Sequence, residues 1–258
     1  MQFEIWGGSE LPKILLIHPM YMDPSCYAGL SGKLDGYCTI LPTLDGHGTD
    51  GCVFHSIAEE ADRILAYLRQ NGIGELAVVS GFSLGGMVAF ELFRRRAVKI
   101  HRLFLDGAPF IRLPAPVGKG MEALFLRFTH RIQRLPEKPG ALERDFPHHA
   151  EKIREVCGRM TDESIRNLAK ACYGYRLPAA LPTARDESIV FLYGTAETAR
   201  KAMPHLRRYA NAHFVTAPGM HHGQMLAERP TEYTALLLGQ VGNKAAPTAG
   251  CGGIGKIV

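Results

Sequence analysis

The sequence predicts an α/β protein whose mostly parallel sheet is flanked by helices. Short apolar runs such as KILLIHPM, ELAVVSGF and SIVFLYGTAE alternate with segments of helical periodicity. Strands that are apolar on both faces are typical of a parallel sheet buried between layers of helices. Residues 111–182 break this rhythm, because they carry helical patterns and no convincing strand. They predict a helical insertion between two strands of the sheet.

The predicted elements follow in order along the chain. The first helix covers residues 56–72, with Ser56 as its N-cap, Glu59 completing a capping box and Gly72 at its end. A second helix, SLGGMVAFELFRRR, follows the strand ELAVVSGF at once. Strands are predicted within residues 13–20, 37–48, 75–82, 99–109, 188–197 and 212–219.

This order of elements divides the chain into three parts. Residues 1–110 and 183–242 are expected to form the core around the sheet. Residues 111–182 are expected to form a helical cap. Residues 243–258 are rich in Gly and Ala and lack periodicity, so a flexible tail is expected there.

The composition excludes several classes of protein. A formal charge of +5 over 258 residues is too weak and too scattered to indicate nucleic-acid binding. Apolar runs stay well below the ~18 residues of a membrane span, and the first residues lack the pattern of a signal peptide. The six cysteines form no C-x-x-C pair. Reduced thiols in a cytoplasmic protein are therefore expected, with a small molecule as substrate.

The pentapeptide Gly81-Phe82-Ser83-Leu84-Gly85 joins a buried strand directly to a helix. A serine at such a sharp turn takes a strained backbone conformation, and small neighbours let the strand and the helix approach closely. The following helix presents its free N–H groups to any negative charge that develops there. The pattern predicts a nucleophile elbow with Ser83 at its apex.

Five segments follow one another along the chain in a characteristic order. They are LLIHPM, PTLDGHG, GFSLGG, FLYGTAE and PGMHHGQMLAERP. Together they resemble the α/β-hydrolase superfamily, in its short serine-hydrolase branch with a helical cap. The resemblance covers nearly the whole chain up to about Tyr233. It implies an α/β-hydrolase fold and a reaction that needs no metal or organic cofactor.

A serine nucleophile needs a base, and the base needs an orienting acid. The chain order expected for this fold is serine, acid, histidine. The resemblance aligns His222 with the family's histidine, while the adjacent His221 remains a rival. It aligns Glu197 with the family's aspartate, while Asp106, at the end of the preceding strand, remains the alternative acid.

The oxyanion hole is expected to consist of two backbone amides. By resemblance these are the N–H groups of Met20 and Leu84. Pro19 stands where the family usually has glycine, but the expected donor is one residue further on. His18 is expected to be a structural member of this loop.

The predicted cap is basic, with 13 Lys and Arg against 8 Asp and Glu between residues 112 and 176. Such a cap would attract an anionic substrate, although the same charges are typical of solvated helix faces. The sequence therefore predicts a carboxylesterase-like serine hydrolase. The alternatives are a carbon–carbon bond hydrolase, a lyase resembling the menaquinone-pathway synthase, and a non-catalytic binding protein with this fold.

Overall fold

The structure is a computed structural model that describes residues 1–134, 142–143, 149–181, 183–209 and 211–240. The predicted flexible tail at 243–258 lies outside the described residues, as does part of the predicted cap.

A seven-stranded sheet, in the order β1-β3-β2-β4-β5-β6-β7, forms the centre of the molecule. Strand β1 pairs antiparallel with β3, and every other neighbouring pair is parallel. The predicted mostly parallel sheet is therefore confirmed. The strands are β1 Gln2–Trp6, β2 Lys13–Ile17, β3 Cys38–Thr43, β4 Glu75–Phe82, β5 Lys99–Asp106, β6 Ser188–Gly194 and β7 Ala212–Ala217.

Helices flank the sheet, and the described residues of the predicted insertion after β5 are largely helical. The helices are α1 Ile57–Gln70, α2 Leu84–Arg95, α3 Ala115–Arg134, α4 Ala150–Arg159, α5 Asp162–Gly174, α6 Met203–Leu206, α7 Gln224–Glu228 and α8 Pro230–Leu237. Two short 3₁₀ helices cover Pro24–Leu30 and Thr198–Ala202. Helix α3 packs against both α4 and α5. The division into core and cap remains a prediction.

The ends of α1 follow from its sequence. The Ser56 hydroxyl accepts a hydrogen bond from the Glu59 amide at 3.1 Å, as an N-cap residue does. The helix ends at Gln70, and Gly72 then takes a positive φ of 65°. Four apolar residues at helical spacing in α1, at positions 57, 61, 64 and 68, are no more than 5% exposed. The amphipathic pattern therefore packs its apolar stripe into the core.

The N-terminus of α2 packs very closely against β2. A Cβ atom on Gly85 would lie 2.0 Å from the carbonyl oxygen of Ile17. This atom belongs to the backbone of a buried strand and has little freedom to move. The first turn of α2 can therefore approach the sheet this closely because residue 85 has no side chain.

We predict that Gly85→Ala destabilises the protein by about 3 kcal/mol, because the new methyl group overlaps a backbone atom. Gly158 in α4 is the matched control, since a Cβ atom there would meet nothing within 4 Å. Gly158→Ala should stabilise the fold by about 0.5 kcal/mol, because alanine has the higher helix propensity. Urea unfolding followed by circular dichroism measures both. Equal stability of the two variants would contradict this account of the packing.

Candidate active site

Ser83 lies at the turn between β4 and α2, with φ of 55° and ψ of −115°. A positive φ is uncommon for a residue other than glycine, and such strain is concentrated at functional sites. The amide of Ser83 donates a hydrogen bond to the carbonyl oxygen of Asp106 at 2.8 Å. This bond fixes the turn to the end of the neighbouring strand β5. The backbone of Ser83 is thus constrained at the N-terminus of α2, and its side chain is half-buried.

His222 and Glu197 form a hydrogen-bonded pair, with 2.5 Å between Nδ1 and Oε2. A carboxylate can only accept, so the imidazole carries its proton on Nδ1 and leaves the neutral Nε2 free to accept one. The other oxygen of Glu197 accepts a hydrogen bond from the amide of Gly194 at 2.7 Å. The Glu197 side chain is 2% exposed and that of His222 is 36% exposed. The carboxylate is therefore held on both sides, while the ring still reaches solvent.

The imidazole of His222 lies at the same edge of the sheet as Ser83. Its ring centroid is 4.8 Å from that of Phe82, the residue that precedes the serine. The ring also lies against Gly107, where a Cβ atom would be 2.6 Å from Cε1 of His222. Gly107 directly follows Asp106, the residue bonded to the Ser83 amide. The histidine and the serine are therefore both packed against the carboxyl ends of β4 and β5.

The two rival residues are placed differently. The exposed His221 donates its backbone amide to the side chain of Gln224 at 2.8 Å. Asp106 is buried, and its burial raises the pKa of its carboxyl well above the ordinary value, with the charge of Glu197 adding to the effect. Among the described residues, the carboxylate that accepts the hydrogen bond from Nδ1 of His222 is that of Glu197. The geometry thus pairs Glu197 with His222 and leaves Asp106 as a buried neighbour.

The loop after β2 carries the predicted amide donor Met20. His18 anchors this loop, because its Nε2 accepts a hydrogen bond from the Leu44 amide at 2.9 Å. Its Nδ1 lies 2.8 Å from the carbonyl oxygen of Pro19, to which it donates. Burial lowers the pKa of His18 to about 4, so the ring is neutral and keeps both bonds. Among the described residues, the amides of Met20 and Leu84 have no hydrogen-bond acceptor.

One cluster among the described residues has the side chains for a metal ion. Ligand atoms of Asp45, Asp50 and Cys52 lie within 4.8 Å of one another. Asp45 already pairs with Nε of Arg63 at 2.8 Å and with the amino group of Met1 at 2.9 Å. These cations balance the buried carboxylate, so the cluster is accounted for without a metal ion.

The fold agrees with comparison to known proteins. The model of the Alpha/beta hydrolase family matches residues 14–236. The chain belongs to this family. It is 34% identical over 177 residues to the pimeloyl-[acyl-carrier protein] methyl ester esterase of Aromatoleum aromaticum, a match that covers 66% of this chain and 67% of that protein. With an esterase among its relatives, the chain is a hydrolase, and the alternative of a non-catalytic binding protein is not supported.

Two solved structures show the same fold. A putative alpha/beta hydrolase family protein from Desulfitobacterium hafniense superposes with a TM-score of 0.75 at 21% identity, covering 91% of this chain and 98% of that one. A thermophilic esterase from Thermogutta terrifontis superposes with a TM-score of 0.70 at 22% identity, covering 93% and 92%. Within the described residues, no helix has both the length and the apolar character needed to span a membrane.

Two features of this site are not predicted from the sequence. One is the contact of Gly107 with the His222 ring. The other is Tyr21, which has a φ of 65° and reaches across to Thr129 on α3. Gly107 follows a predicted strand, a position where a tight turn is common. A tyrosine with left-handed backbone geometry has no sequence signal.

Proposed function

We propose that the protein cleaves carboxylic esters through an acyl-serine intermediate on Ser83. His222 is the general base and Glu197 the residue that orients it. The backbone amides of Met20 and Leu84 stabilise the oxyanion. The observation that carries this proposal is the 2.5 Å hydrogen bond between Glu197 and His222, beside a serine with strained backbone geometry.

The reaction follows from these groups. The Ser83 oxygen attacks the ester carbonyl while Nε2 of His222 accepts its proton, and the carbonyl oxygen becomes an oxyanion. Collapse of this intermediate breaks the bond to the alkoxy group, which leaves as an alcohol with the proton from His222. Water then attacks the acyl-serine and gives its proton to His222. The second collapse releases the carboxylic acid and restores the Ser83 hydroxyl with that proton.

The same groups would serve carbon–carbon bond hydrolysis or a lyase reaction on an anionic substrate. An ester substrate is favoured because the relative from Aromatoleum aromaticum is named as a methyl ester esterase. The serine at the elbow also supports acyl transfer, since an ester forms directly on its oxygen.

Removing the nucleophile or the orienting acid should abolish most activity toward p-nitrophenyl butyrate. We expect Ser83→Ala to lower kcat/KM by ~10⁴-fold or more. Glu197→Gln should cost ~10³–10⁴-fold, because an amide no longer favours the tautomer with the proton on Nδ1. Asp106→Asn is the matched control and should stay within a few fold of wild type, since among the described residues the carboxylate bonded to His222 is Glu197 and not Asp106.

The opposite ranking, with Asp106→Asn inactive and Glu197→Gln active, would assign the acid to Asp106. Full activity of Ser83→Ala would contradict the acyl-serine mechanism. Thermal unfolding of each variant shows whether a loss of activity reflects a loss of fold.

A groove of about 1220 Å³ lies between α3 and α5, and we call it the basic groove. Ala123 and Leu126 contribute apolar side chains to it. Its acids are Glu122 and Asp162, and Asp162 already accepts a hydrogen bond from His130 at 2.6 Å. Six cations line the groove, and within the described residues they form no ion pair. They are Lys119, Arg127, Arg131, Arg134, Arg166 and Lys170.

The charge of this groove favours a narrower class of ester substrate. We propose that the ester is presented on an acyl carrier protein whose negatively charged face binds the basic groove. The relative from Aromatoleum aromaticum is named for a substrate of this kind. Complementary charge across such a contact mainly raises the rate of association and selects the partner. The acyl chain would then enter from the carrier toward Ser83.

Reversing two charges of the groove should separate carrier-bound from free substrates. We expect Arg127→Glu combined with Arg131→Glu to lower kcat/KM about tenfold for pimeloyl-[acyl-carrier protein] methyl ester at low salt. Turnover of p-nitrophenyl butyrate should not change, because Ser83 and His222 are untouched. The control combines Lys33→Glu with Arg69→Glu, two exposed cations of the core. Equal loss on both substrates, or equal loss in the control, would contradict carrier docking at this groove.

A further inference from the structure

Tyr21 is one of three residues other than glycine with positive φ in the described part of the chain. Its φ is 65°, and it directly follows Met20 in the loop after β2. A bulky side chain in this conformation is strained, and the strain persists where the surroundings hold it. The strain at Tyr21 therefore requires an anchor.

The anchor is a buried hydrogen bond to the cap. The hydroxyl of Tyr21 lies 3.0 Å from Oγ1 of Thr129 in α3. Thr129 uses its own proton to donate to the carbonyl oxygen of Phe125 at 2.9 Å. The Thr129 oxygen must then act as acceptor for Tyr21, so the direction of the bond is fixed. Thr129 is fully buried and Tyr21 is 8% exposed.

The ring of Tyr21 packs on the same helix. Its centroid is 5.5 Å from that of Phe128 and 6.3 Å from that of Phe125. Phe125 in turn contacts Tyr173 of α5 at 6.1 Å. These contacts seat the Tyr21 side chain against α3 rather than against the sheet. Aromatic pairs at such distances add to the free energy gained by burial alone.

Other anchors of this loop stay within the core. His18 is bonded to Leu44, and the hydroxyl of Tyr27 donates to the carbonyl oxygen of Ile17 at 2.8 Å. Tyr21 by contrast joins the loop to an element 108 residues away in the chain. Only the φ and ψ angles of Met20 separate its amide from the backbone of Tyr21, so holding Tyr21 in place restricts the orientations that the Met20 amide can take.

We propose that Tyr21 is a positioning residue: its contact with Thr129 couples the seating of α3 to the orientation of the Met20 amide. This inference rests on the proposed function, in which that amide stabilises the oxyanion. Substrate entry that displaces α3 would release the loop, and the return of α3 would restore the oxyanion donor. Donors held in place before the reaction stabilise the transition state most strongly.

The test compares Tyr21→Phe with Thr129→Val, which removes the acceptor from the cap side. We expect each to lower kcat/KM for p-nitrophenyl butyrate about tenfold, and the double variant to be no worse than either alone. The inhibition constant of a boronic acid, whose serine adduct places an oxygen in the oxyanion hole, should rise by the same factor. Tyr209→Phe is the matched control, since it loses a buried hydroxyl bonded to the Pro178 carbonyl oxygen at 2.8 Å.

A merely structural role for Tyr21 would lower the melting temperature of Tyr21→Phe and Tyr209→Phe alike and leave the boronic acid constant unchanged. That result, or additive losses in the double variant, would overturn the inference. Failure of the proposed function looks different, because Ser83→Ala would then be as active as wild type. If Tyr21→Phe does not fold, Thr129→Val still tests the hydrogen bond between Tyr21 and Thr129.

Discussion

The close approach of α2 to the sheet is the constraint on which the rest of the site depends. Because Gly85 has no side chain, the first turn of α2 packs against the Ile17 carbonyl group. The chain can then reverse from β4 into α2 within a single residue, which takes φ of 55°. That residue is Ser83, and its amide is tied to the end of β5. The position of the nucleophile therefore follows from backbone packing rather than from contacts of its own side chain.

The charges around the serine are arranged so that one carboxylate meets the imidazole. Glu197 is held by the Gly194 amide and by His222, while Asp106 is buried beside it. Two negative charges in this space would repel each other, and burial together with the charge of Glu197 raises the pKa of Asp106 well above its ordinary value. Glu197 is the carboxylate that accepts the hydrogen bond of His222. The neutral His18 likewise keeps positive charge away from the loop that carries Met20.

Much of the fold could be predicted because its strands are short apolar runs and its elbow has a rigid local sequence. The edge strand β1 was missed, since its five residues are mostly exposed and show no continuous apolar run. The sequence does not predict helix α8 either, because the helix has only eight residues. Edge strands and short terminal helices gain their stability from tertiary packing, which a local pattern does not contain.

The candidate site was predictable in kind but not in detail. The sequence leaves open whether Glu197 or Asp106 is the acid that orients the histidine. Asp106 ends β5 and Glu197 follows β6, and these two strands are neighbours in the sheet. The sequence also leaves His221 and His222 open, because the two are adjacent in one loop. The hydrogen bond to Glu197 and the packing on Phe82 and Gly107 distinguish His222 from its neighbour. The hydrogen bond between Tyr21 and Thr129 joins residues that are 108 positions apart in the chain, so no local sequence pattern predicts it.

The central claim is that Ser83 is a nucleophile activated by His222. Reaction with a fluorophosphonate probe, followed by mass spectrometry of the digested protein, measures this most directly. The account predicts a single adduct on Ser83 that forms rapidly in the wild type and in His221→Asn, and is nearly absent in His222→Asn. An unlabelled Ser83 in folded protein, or equal labelling in the two histidine variants, would contradict it.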